Sequence, residues 1–236
     1  MLKIPVDGRH KEDARILSVN ISLPKEIDFE GQRLKTGIFK EPVEGRIRLK
    51  TLNLDGDRQA DLTVHGGPDK AVYAYPMEHY EYWHGVYPDI DMPNGMFGEN
   101  LTIEGLKESE VNIGDIFRIG SSTVIATQPR MPCYKLGVKF GHMDVIKKFL
   151  ASGRSGIYFK VSKEGEVAAG DSIKQITKDP NRITISDIIR LYSIEREDLQ
   201  TMRRAVKVDA LPKGWKRYFL GQIKRLERDL QHSEIE

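Results

Sequence analysis

Short runs of alternating or β-branched apolar residues fill the first three quarters of the chain. Runs of this length, separated by turns rich in glycine and aspartate, predict β-strands. Turn pairs such as Gly114-Asp115 and Gly170-Asp171 mark the boundaries between them. The predicted strands cover residues 16–23, 46–52, 116–119, 123–127, 157–161 and 172–176. Many short strands with few intervening helices favour an antiparallel or mixed sheet, closed into a barrel or a sandwich.

Helical spacing of apolar residues interrupts the strands twice and dominates the end of the chain. One predicted helix covers residues 76–86, with Pro76 at its first position, and a second helical region follows Cys133 and runs in pieces to residue 152. Beyond residue 180 the spacing predicts three helices, over 186–192, 195–205 and 214–231. We therefore predict a fold that is mainly β with α. Residues 1–179 form a β-barrel domain with helical insertions, and residues 180–236 form a C-terminal three-helix subdomain.

The composition excludes several classes of protein and site. The 236 residues include one cysteine, which rules out an internal disulfide and a multi-cysteine zinc or iron–sulfur site. No apolar stretch approaches the roughly 18 residues of a membrane span, and the first 20 residues lack the apolar core of a secretory signal. We therefore expect a cytoplasmic protein with no membrane partner.

The charge balance does not predict a nucleic-acid partner. The chain has 37 lysines and arginines against 35 aspartates and glutamates, a net charge of +2. Basic residues cluster in the last predicted helix, opposite its apolar residues, and we interpret them as a solvated face. The apolar face of this helix either packs on the barrel or mediates self-association, which leaves a homodimer open.

Cys133 lies in a segment whose neighbours change the chemistry of a thiol. Pro129 and Pro132 hold the chain extended between a predicted strand and a predicted helix. A thiol at the start of a helix, with Arg130 and Lys135 close by, is favoured as the thiolate that attacks electrophiles and binds soft metals. The residues alone leave an inert, buried cysteine open, because cysteine is among the most buried residue types.

Further candidates are polar residues placed beside glycines. Adjacent glycines let backbone N–H groups approach an anion, and a neighbouring lysine or arginine adds positive charge. Each of these segments is also compatible with an ordinary turn. The candidates are His65, Gly66, Gly67, Lys70, Glu99, Asn100 and Arg154.

Six motifs in a fixed order make the chain resemble a known family. They are Gly56-Asp57-Arg58-Gln59-Ala60-Asp61, His65-Gly66-Gly67 with Lys70, Tyr75-Pro76 followed by His79-Tyr80 and Trp83, Phe97-Gly98-Glu99-Asn100-Leu101, Gln128-Pro129-Arg130 followed by Pro132-Cys133, and Gly153-Arg154. Each motif is weak alone, but together they resemble the MOSC domain, named for the C-terminal part of molybdenum-cofactor sulfurases. The closest resemblance is to its YiiM-like bacterial branch.

This resemblance implies a MOSC-type β-barrel that binds a molybdenum cofactor of the molybdopterin type. It implies that Cys133 is the sulfur ligand of molybdenum and the catalytic residue, a role that suits a soft thiolate. It also implies cofactor-binding roles for the remaining candidates. Cations and backbone N–H groups would hold the phosphate and pterin, and Glu99 and Asn100 would bond to the edges of the pterin.

The resemblance further implies an oxidoreductase that reduces small N-hydroxylated compounds, such as base analogues of the 6-N-hydroxylaminopurine type. The sequence has no flavin or iron–sulfur motif, so we expect a separate redox protein to supply the electrons. The alternative is a protein without redox activity, which uses Cys133 to carry either the molybdenum cofactor or sulfur as a persulfide.

Overall fold

The computed structural model describes residues 14–60 and 66–233. The β-strands in these ranges are Arg15–Ile21 (β1), Lys25–Phe29 (β2), Gln32–Thr36 (β3), Glu41–Val43 (β4), Ile47–Leu49 (β5), Val72–Pro76 (β6), Leu101–Glu104 (β7), Ile116–Ile119 (β8), Ser122–Pro129 (β9), Ile157–Lys163 (β10), Gly165–Val167 (β11) and Ile173–Thr177 (β12). The α-helices are Glu78–Val86 (α1), Tyr134–Phe140 (α2), Val145–Ser152 (α3), Ile185–Ser193 (α4), Leu199–Ala205 (α5) and Lys213–Ser233 (α6). A single 3-10 turn covers Pro68–Lys70.

A mixed eight-stranded sheet forms the centre of the molecule. Its strand order is β12-β8-β9-β10-β6-β7-β1-β4, and β6 and β7 are its parallel pair, connected through α1. The sheet curls so that the first residues of β1 meet the chain just before β12, where the N–H of Ile16 donates to the carbonyl of Asp171 at 3.0 Å. The strand order nevertheless begins at β12 and ends at β4, which do not pair with each other, so the sheet is not closed into a complete barrel. The hairpin of β2 and β3 and the pair β5–β11 form separate small sheets.

The predicted fold class is confirmed, with differences in individual elements. Each predicted strand overlaps an observed one, and the helices after Cys133 and after residue 180 are present. Pro76 is an exception, because it ends β6 instead of opening α1, which begins at Glu78. The β-favouring run 72–75 extends the strand up to the proline, and β6 is buried along its whole length.

Two hydrophobic clusters stabilise this arrangement. The larger lies beneath the sheet and includes residues of the C-terminal helices, among them Phe219, which is fully buried. The smaller is aromatic and packs α1, α2 and α3 around Tyr75, Trp83 and Phe97. Because the C-terminal helices share the larger cluster with the sheet, burial of apolar surface holds the two predicted domains together. The division at residues 179 and 180 stays a prediction.

The C-terminal helices have well-defined starts and one main contact face. Thr184 and Asp187 exchange side-chain and backbone hydrogen bonds in a capping box at the start of α4, and the Asp198 side chain caps α5. The predicted apolar face of α6 contributes Phe219 and Ile223 to the larger cluster, whereas Leu230, near its end, is 56% exposed. No helix within 14–60 and 66–233 is long and apolar enough to cross a membrane.

Candidate functional site

Cys133 lies where the chain passes from the sheet to a helix. Strand β9 ends at Pro129, three residues outside regular secondary structure follow, and Cys133, whose backbone is extended, is the N-cap residue of α2. Its carbonyl accepts the N–H of Leu136 at 2.9 Å, which starts the helix. The thiol is half-buried and lines an open cleft.

This cleft, which we call the cationic cleft, carries a strong excess of positive charge. It occupies about 580 Å³, counting space open to solvent. Among the residues that the structure describes, no carboxylate lines this cleft and five lining residues are basic. These five are Lys40, Arg58, Lys70, Arg130 and Lys135. Such a lining favours an anionic ligand, and it favours the thiolate form of a cysteine in the same wall.

Arg130 is the most tightly held of these cations. It is buried, it donates a hydrogen bond from Nη1 to the carbonyl of Phe97, and its guanidinium lies 5.0 Å from the ring centre of Tyr73. Burial lowers its pKa, but Tyr73, Tyr158 and the sulfur of Cys133 raise it more, so that the net shift is upward. Arg130 is therefore a fixed positive charge that interacts directly with Cys133.

Lys40 is held from behind by a buried carboxylate. Its Nζ donates to Oδ1 of Asp57, and the side chains of both residues are at least nine-tenths buried. Oδ2 of Asp57 accepts a hydrogen bond from Nδ2 of Asn100 at 2.9 Å. Burial lowers the pKa of Lys40, and Asp57 opposes this shift by attraction and hydrogen bonding.

Asn100 lies in the wall of the cationic cleft, but its polar atoms are used inside the protein. Besides the bond to Asp57, its Oδ1 accepts the N–H of Tyr73 at 3.2 Å. Its backbone N–H donates to the carbonyl of Tyr73 in β6, and its carbonyl accepts the N–H of Asn20 in β1. Asn100 therefore fixes Asp57, and through it Lys40, while the predicted bond to a pterin edge stays untested.

Gly66 and Gly67 lie in an adjoining space, which we call the tail chamber. Lys70 lines both the tail chamber and the cationic cleft, so the two spaces are neighbours that share this side chain. Burial lowers the pKa of Lys70, and Asp69 opposes the shift. Gly67 has a φ of +96°, a conformation that suits glycine, and a Cβ added there would meet nothing within 4 Å. His65, the remaining residue of this motif, lies outside the described residues.

Two predicted site residues lie away from the cationic cleft. Glu99 is fully buried behind it, where Oε1 accepts hydrogen bonds from Tyr80, Gly95 and Thr102. These contacts fix the loop that precedes β7, and Glu99 is absent from the lining of either space. Its side chain therefore acts within the protein framework.

Arg154 lies at a third, separate pocket. Its guanidinium stacks 3.8 Å from the ring centre of Tyr82. The same pocket includes His79 and Glu108, whose Nε2 and Oε2 atoms are 2.7 Å apart. The second oxygen of Glu108 accepts the N–H of Gly156 at 2.6 Å. The structure thus does not bring Arg154 together with Cys133.

The structure adds cleft residues that the sequence pattern did not single out. Lys40, Tyr73 and Tyr158 line the cationic cleft although they belong to no recognisable motif. Arg58 lies in a polar segment whose role the sequence left open between a site and a solvated loop. Trp215 of α6 lines the tail chamber, and its only sequence signal was its place on the apolar face of a helix.

Comparison with known proteins agrees with this fold. The MOSC domain matches residues 61–174, and the YiiM-like 3-alpha helix domain matches residues 183–227. The crystal structure of YiiM from Geobacillus stearothermophilus superimposes with a TM-score of 0.75 at 31% identity, and the match covers 89% of this chain and 99% of that one. The class is therefore a sheet-dominated MOSC domain followed by three helices.

Sequence relatives show to which branch of this class the chain belongs. Protein YiiM of Escherichia coli (strain K12) is 35% identical over 202 residues, which is 83% of this chain and 90% of the relative. Uncharacterized protein YflK of Bacillus subtilis (strain 168) is 37% identical over 216 residues, 92% and 97% of the two chains. A protein named Reductase from Gibberella moniliformis (strain M3125 / FGSC 7600) is 26% identical over 181 residues, 75% of this chain and 32% of that protein. The chain belongs to the MOSC-domain family, in its YiiM-like branch.

The cationic cleft has the chemistry that a molybdopterin-type cofactor requires. Such a cofactor brings an anionic phosphate, a pterin and a metal that accepts sulfur ligands. Cys133 offers one soft sulfur donor at the cleft wall, and the surrounding cations suit the phosphate. Among the described residues there is no group of three or more His, Cys, Asp and Glu side chains that could hold a metal ion together. Cys133 is a sulfur donor in the wall of this cleft, and it would fit a metal that accepts sulfur ligands.

Proposed function

We propose that this protein is a molybdenum-cofactor-dependent oxidoreductase that reduces N-hydroxylated compounds, with Cys133 as the sulfur ligand of molybdenum. The observation that carries the proposal is the position of Cys133 in a cleft whose described lining residues include five basic and no acidic ones. Membership of the MOSC-domain family and the distant relative named Reductase support the same chemistry.

Each polar group of the cationic cleft has a defined task in this proposal. Cys133 holds the metal, and Arg130, fixed by Phe97 and Tyr73, neutralises negative charge beside it. Arg58 and Lys135 bind the anionic part of the cofactor by charge. When bound, the cofactor supplies two-electron redox chemistry.

The reduction also consumes protons, because an N-hydroxylamine takes up two electrons and two protons to give the amine and water. Three lysines line the cleft, and burial lowers the pKa of two of them, Lys40 and Lys70. A lysine whose pKa is lowered releases a proton from Nζ more readily near neutral pH than a solvated lysine does. We assign proton supply to these two groups.

The electrons come from a separate redox protein under this proposal. The charge of the cleft favours an acidic partner surface near its mouth, since opposite charges steer association. A chemical donor replaces that partner in the test below, so the outcome does not depend on its identity.

The test is reduction of 6-N-hydroxylaminopurine by protein purified from a host that makes molybdenum cofactor, with a reduced viologen dye as electron donor. We expect turnover by the wild type and none by the Cys133→Ser variant, whose fold is checked by circular dichroism. Full activity of this variant would overturn the proposed role of Cys133. Bound molybdenum without turnover in the wild type would instead identify a cofactor carrier, and a persulfide on Cys133 without molybdenum a sulfur carrier.

A further inference from the structure

The exposed face of α6 carries a row of positive charges, which we call the basic stripe. Its four members lie on the side of the helix opposite to Phe219 and Ile223, which belong to the larger hydrophobic cluster. The first and last members lie about 22 Å apart, at a rise of 1.5 Å per residue. Glu227, the acidic residue of this stretch, lies to the side, where its carboxylate pairs with Arg203 of α5. The members of the stripe are Lys213, Arg217, Lys224 and Arg228.

The basic stripe is unfavourable for the helix taken alone. Lys213 and Arg217 stand four residues apart, as do Lys224 and Arg228, and like charges at this spacing repel. The first turn of α6 has no acidic residue, although the N-terminus of a helix favours negative charge. A helix face that only meets water is commonly supported by pairs of opposite charge instead. The stripe therefore differs from an ordinary solvated face, and an anionic surface placed against it would relieve the repulsion.

The middle of the basic stripe is apolar. Leu220 lies between Arg217 and Lys224 and is 47% exposed. Gly221 beside it is also exposed, and a Cβ added there would meet nothing within 4 Å. An apolar centre with a charged rim is typical of a protein–protein interface, whereas a phosphate backbone offers a leucine no apolar surface. Two copies of the stripe repel each other, so a second copy of this chain does not fit. The observations therefore favour an acidic protein surface as the partner.

The start of α6 lies close to the segment that carries Cys133. Gly214 and Trp215 line the tail chamber together with Met131, which is two residues before Cys133. Nε1 of Trp215 donates to Oε1 of Gln128 at 3.1 Å, and Gln128 belongs to β9, the strand that leads to Cys133. Electron transfer between proteins requires a short distance and no open passage. A protein docked at the start of the stripe is close to the cysteine segment.

We infer that the basic stripe of α6 is the docking surface for the separate redox protein that supplies electrons, and that this partner presents an acidic surface with an apolar centre. The inference rests on the proposed function and identifies the kind of partner that this function requires. Reduction of one N-hydroxylamine to the amine and water takes up two electrons and two protons. Two molecules of a one-electron donor, each oxidised once, supply the electrons.

Two double variants with the same change in net charge test this surface. The stripe variant combines Arg217→Glu with Lys224→Glu. Each new glutamate stands four residues from a remaining basic residue, so the helix should be at least as stable as before. Neither position lines the cationic cleft or the tail chamber. The control variant combines Lys160→Glu in β10 with Lys174→Glu in β12, two exposed positions outside the helices.

The probe is flavodoxin, a small acidic flavin protein that donates electrons one at a time. Reduced flavodoxin and a reduced viologen dye are compared as donors for the reduction of 6-N-hydroxylaminopurine, and the binding of oxidised flavodoxin is measured without substrate. We expect the stripe variant to raise the KM for flavodoxin and to weaken its binding, each at least about tenfold. The control variant should change both by less than about twofold. Turnover with the dye should be the same in all three proteins.

Four results would overturn the inference. They are no binding of flavodoxin to the wild type, equal weakening in the stripe and control variants, an equal loss of dye-driven turnover in the stripe variant, and preferred binding of nucleic acid by the stripe. The last is tested with a DNA duplex of about 20 base pairs, which the wild type would bind more tightly than flavodoxin and the stripe variant would not bind.

The proposed function fails by a different result. Absence of dye-driven turnover in cofactor-loaded wild type would remove the reductase. The binding of oxidised flavodoxin requires no turnover, so the comparison of the stripe and control variants still tests the docking surface.

Discussion

The cationic cleft and the tail chamber share Lys70, but their other lining residues differ in chemistry. The cleft is made by buried charges held by hydrogen bonds, as in the pair of Lys40 and Asp57. The chamber is made by an aromatic ring, small residues and one amide that joins helix to sheet. Buried charge is expensive to maintain and binds anions, whereas an apolar wall binds uncharged rings by stacking and burial. The two spaces should therefore respond differently to mutation, pH and salt.

The largest effect is expected from breaking the buried pair that supports the cleft. Lys40→Met leaves the Asp57 carboxylate buried without its cation, and we expect the free energy of unfolding to fall by about 3–5 kcal/mol in urea titrations. The double variant Lys40→Met with Asp57→Asn should recover much of this loss. As a control, Lys25→Met removes an exposed pair with Glu41 and should change stability by less than about 1 kcal/mol. Equal losses for Lys25→Met and Lys40→Met would show that the buried pair stabilises the protein no more than the exposed pair does.

A pH effect is expected from Lys139, behind the cleft. Its Nζ donates to the carbonyls of Ile38 and Gly95 at 3.0 and 2.7 Å, and burial lowers its pKa to about 8. Between this value and its ordinary pKa near 10.5, the unfolded chain binds more protons than the folded one. Stability should therefore rise with pH in this window, by about 2 kcal/mol between pH 8 and pH 10 for this residue.

The measurement is urea unfolding of the wild type and of Lys139→Met at both pH values. The variant should show a smaller rise, and the difference between the two proteins isolates Lys139 from other groups that titrate. The same rise in both proteins would contradict the burial of its charge.

Salt should separate the two spaces directly. Inorganic phosphate, an anion, is the probe for the cationic cleft. Adenine, an uncharged planar ring, is the probe for the tail chamber, because the indole of Trp215 lines its wall. We expect phosphate affinity to fall about tenfold between roughly 50 and 500 mM KCl, because screening weakens attraction between charges. Adenine affinity should change less than about twofold. An equal salt dependence of both ligands would contradict the assignment of charge to one space only.

The smallest effect is expected at Arg154. It stacks on Tyr82 in a pocket apart from Cys133, so Arg154→Ala should change N-hydroxylamine reduction by less than about twofold. Arg130→Ala, by contrast, removes the cation that interacts with Cys133 and should abolish most of the activity. If Arg154→Ala lost as much reductase activity as Arg130→Ala, Arg154 would have to act at the same site as Cys133.

Local patterns predicted the parts of this structure that depend on neighbours in sequence. The turn pairs, the alternating strands and the prolines around Cys133 set local backbone conformation, and the helix after Cys133 begins at the next residue. The hairpin of β2 and β3 was missed because its residues are polar and mostly exposed, with no buried face to give a period of two. The parallel pairing of β6 and β7 depends on contacts distant in sequence.

Some residues of the candidate site could be predicted from their neighbours in sequence, and others could not. Cys133, Arg130 and Lys70 could be found because prolines, glycines and charges surround them within a few positions. Lys40 could not, since its role comes from Asp57, which is 17 residues away and buried. Glu99 and Arg154 show the opposite case, because polar residues beside glycines also serve to fix loops.

The most direct measurement of the central claim is X-ray absorption at the molybdenum edge of cofactor-loaded protein. The wild type and Cys133→Ser are compared at equal molybdenum content. If Cys133 is the metal ligand, the wild type should show one more sulfur atom bound to molybdenum than the serine variant does. Identical spectra for the two proteins would contradict the assignment of Cys133 as the ligand.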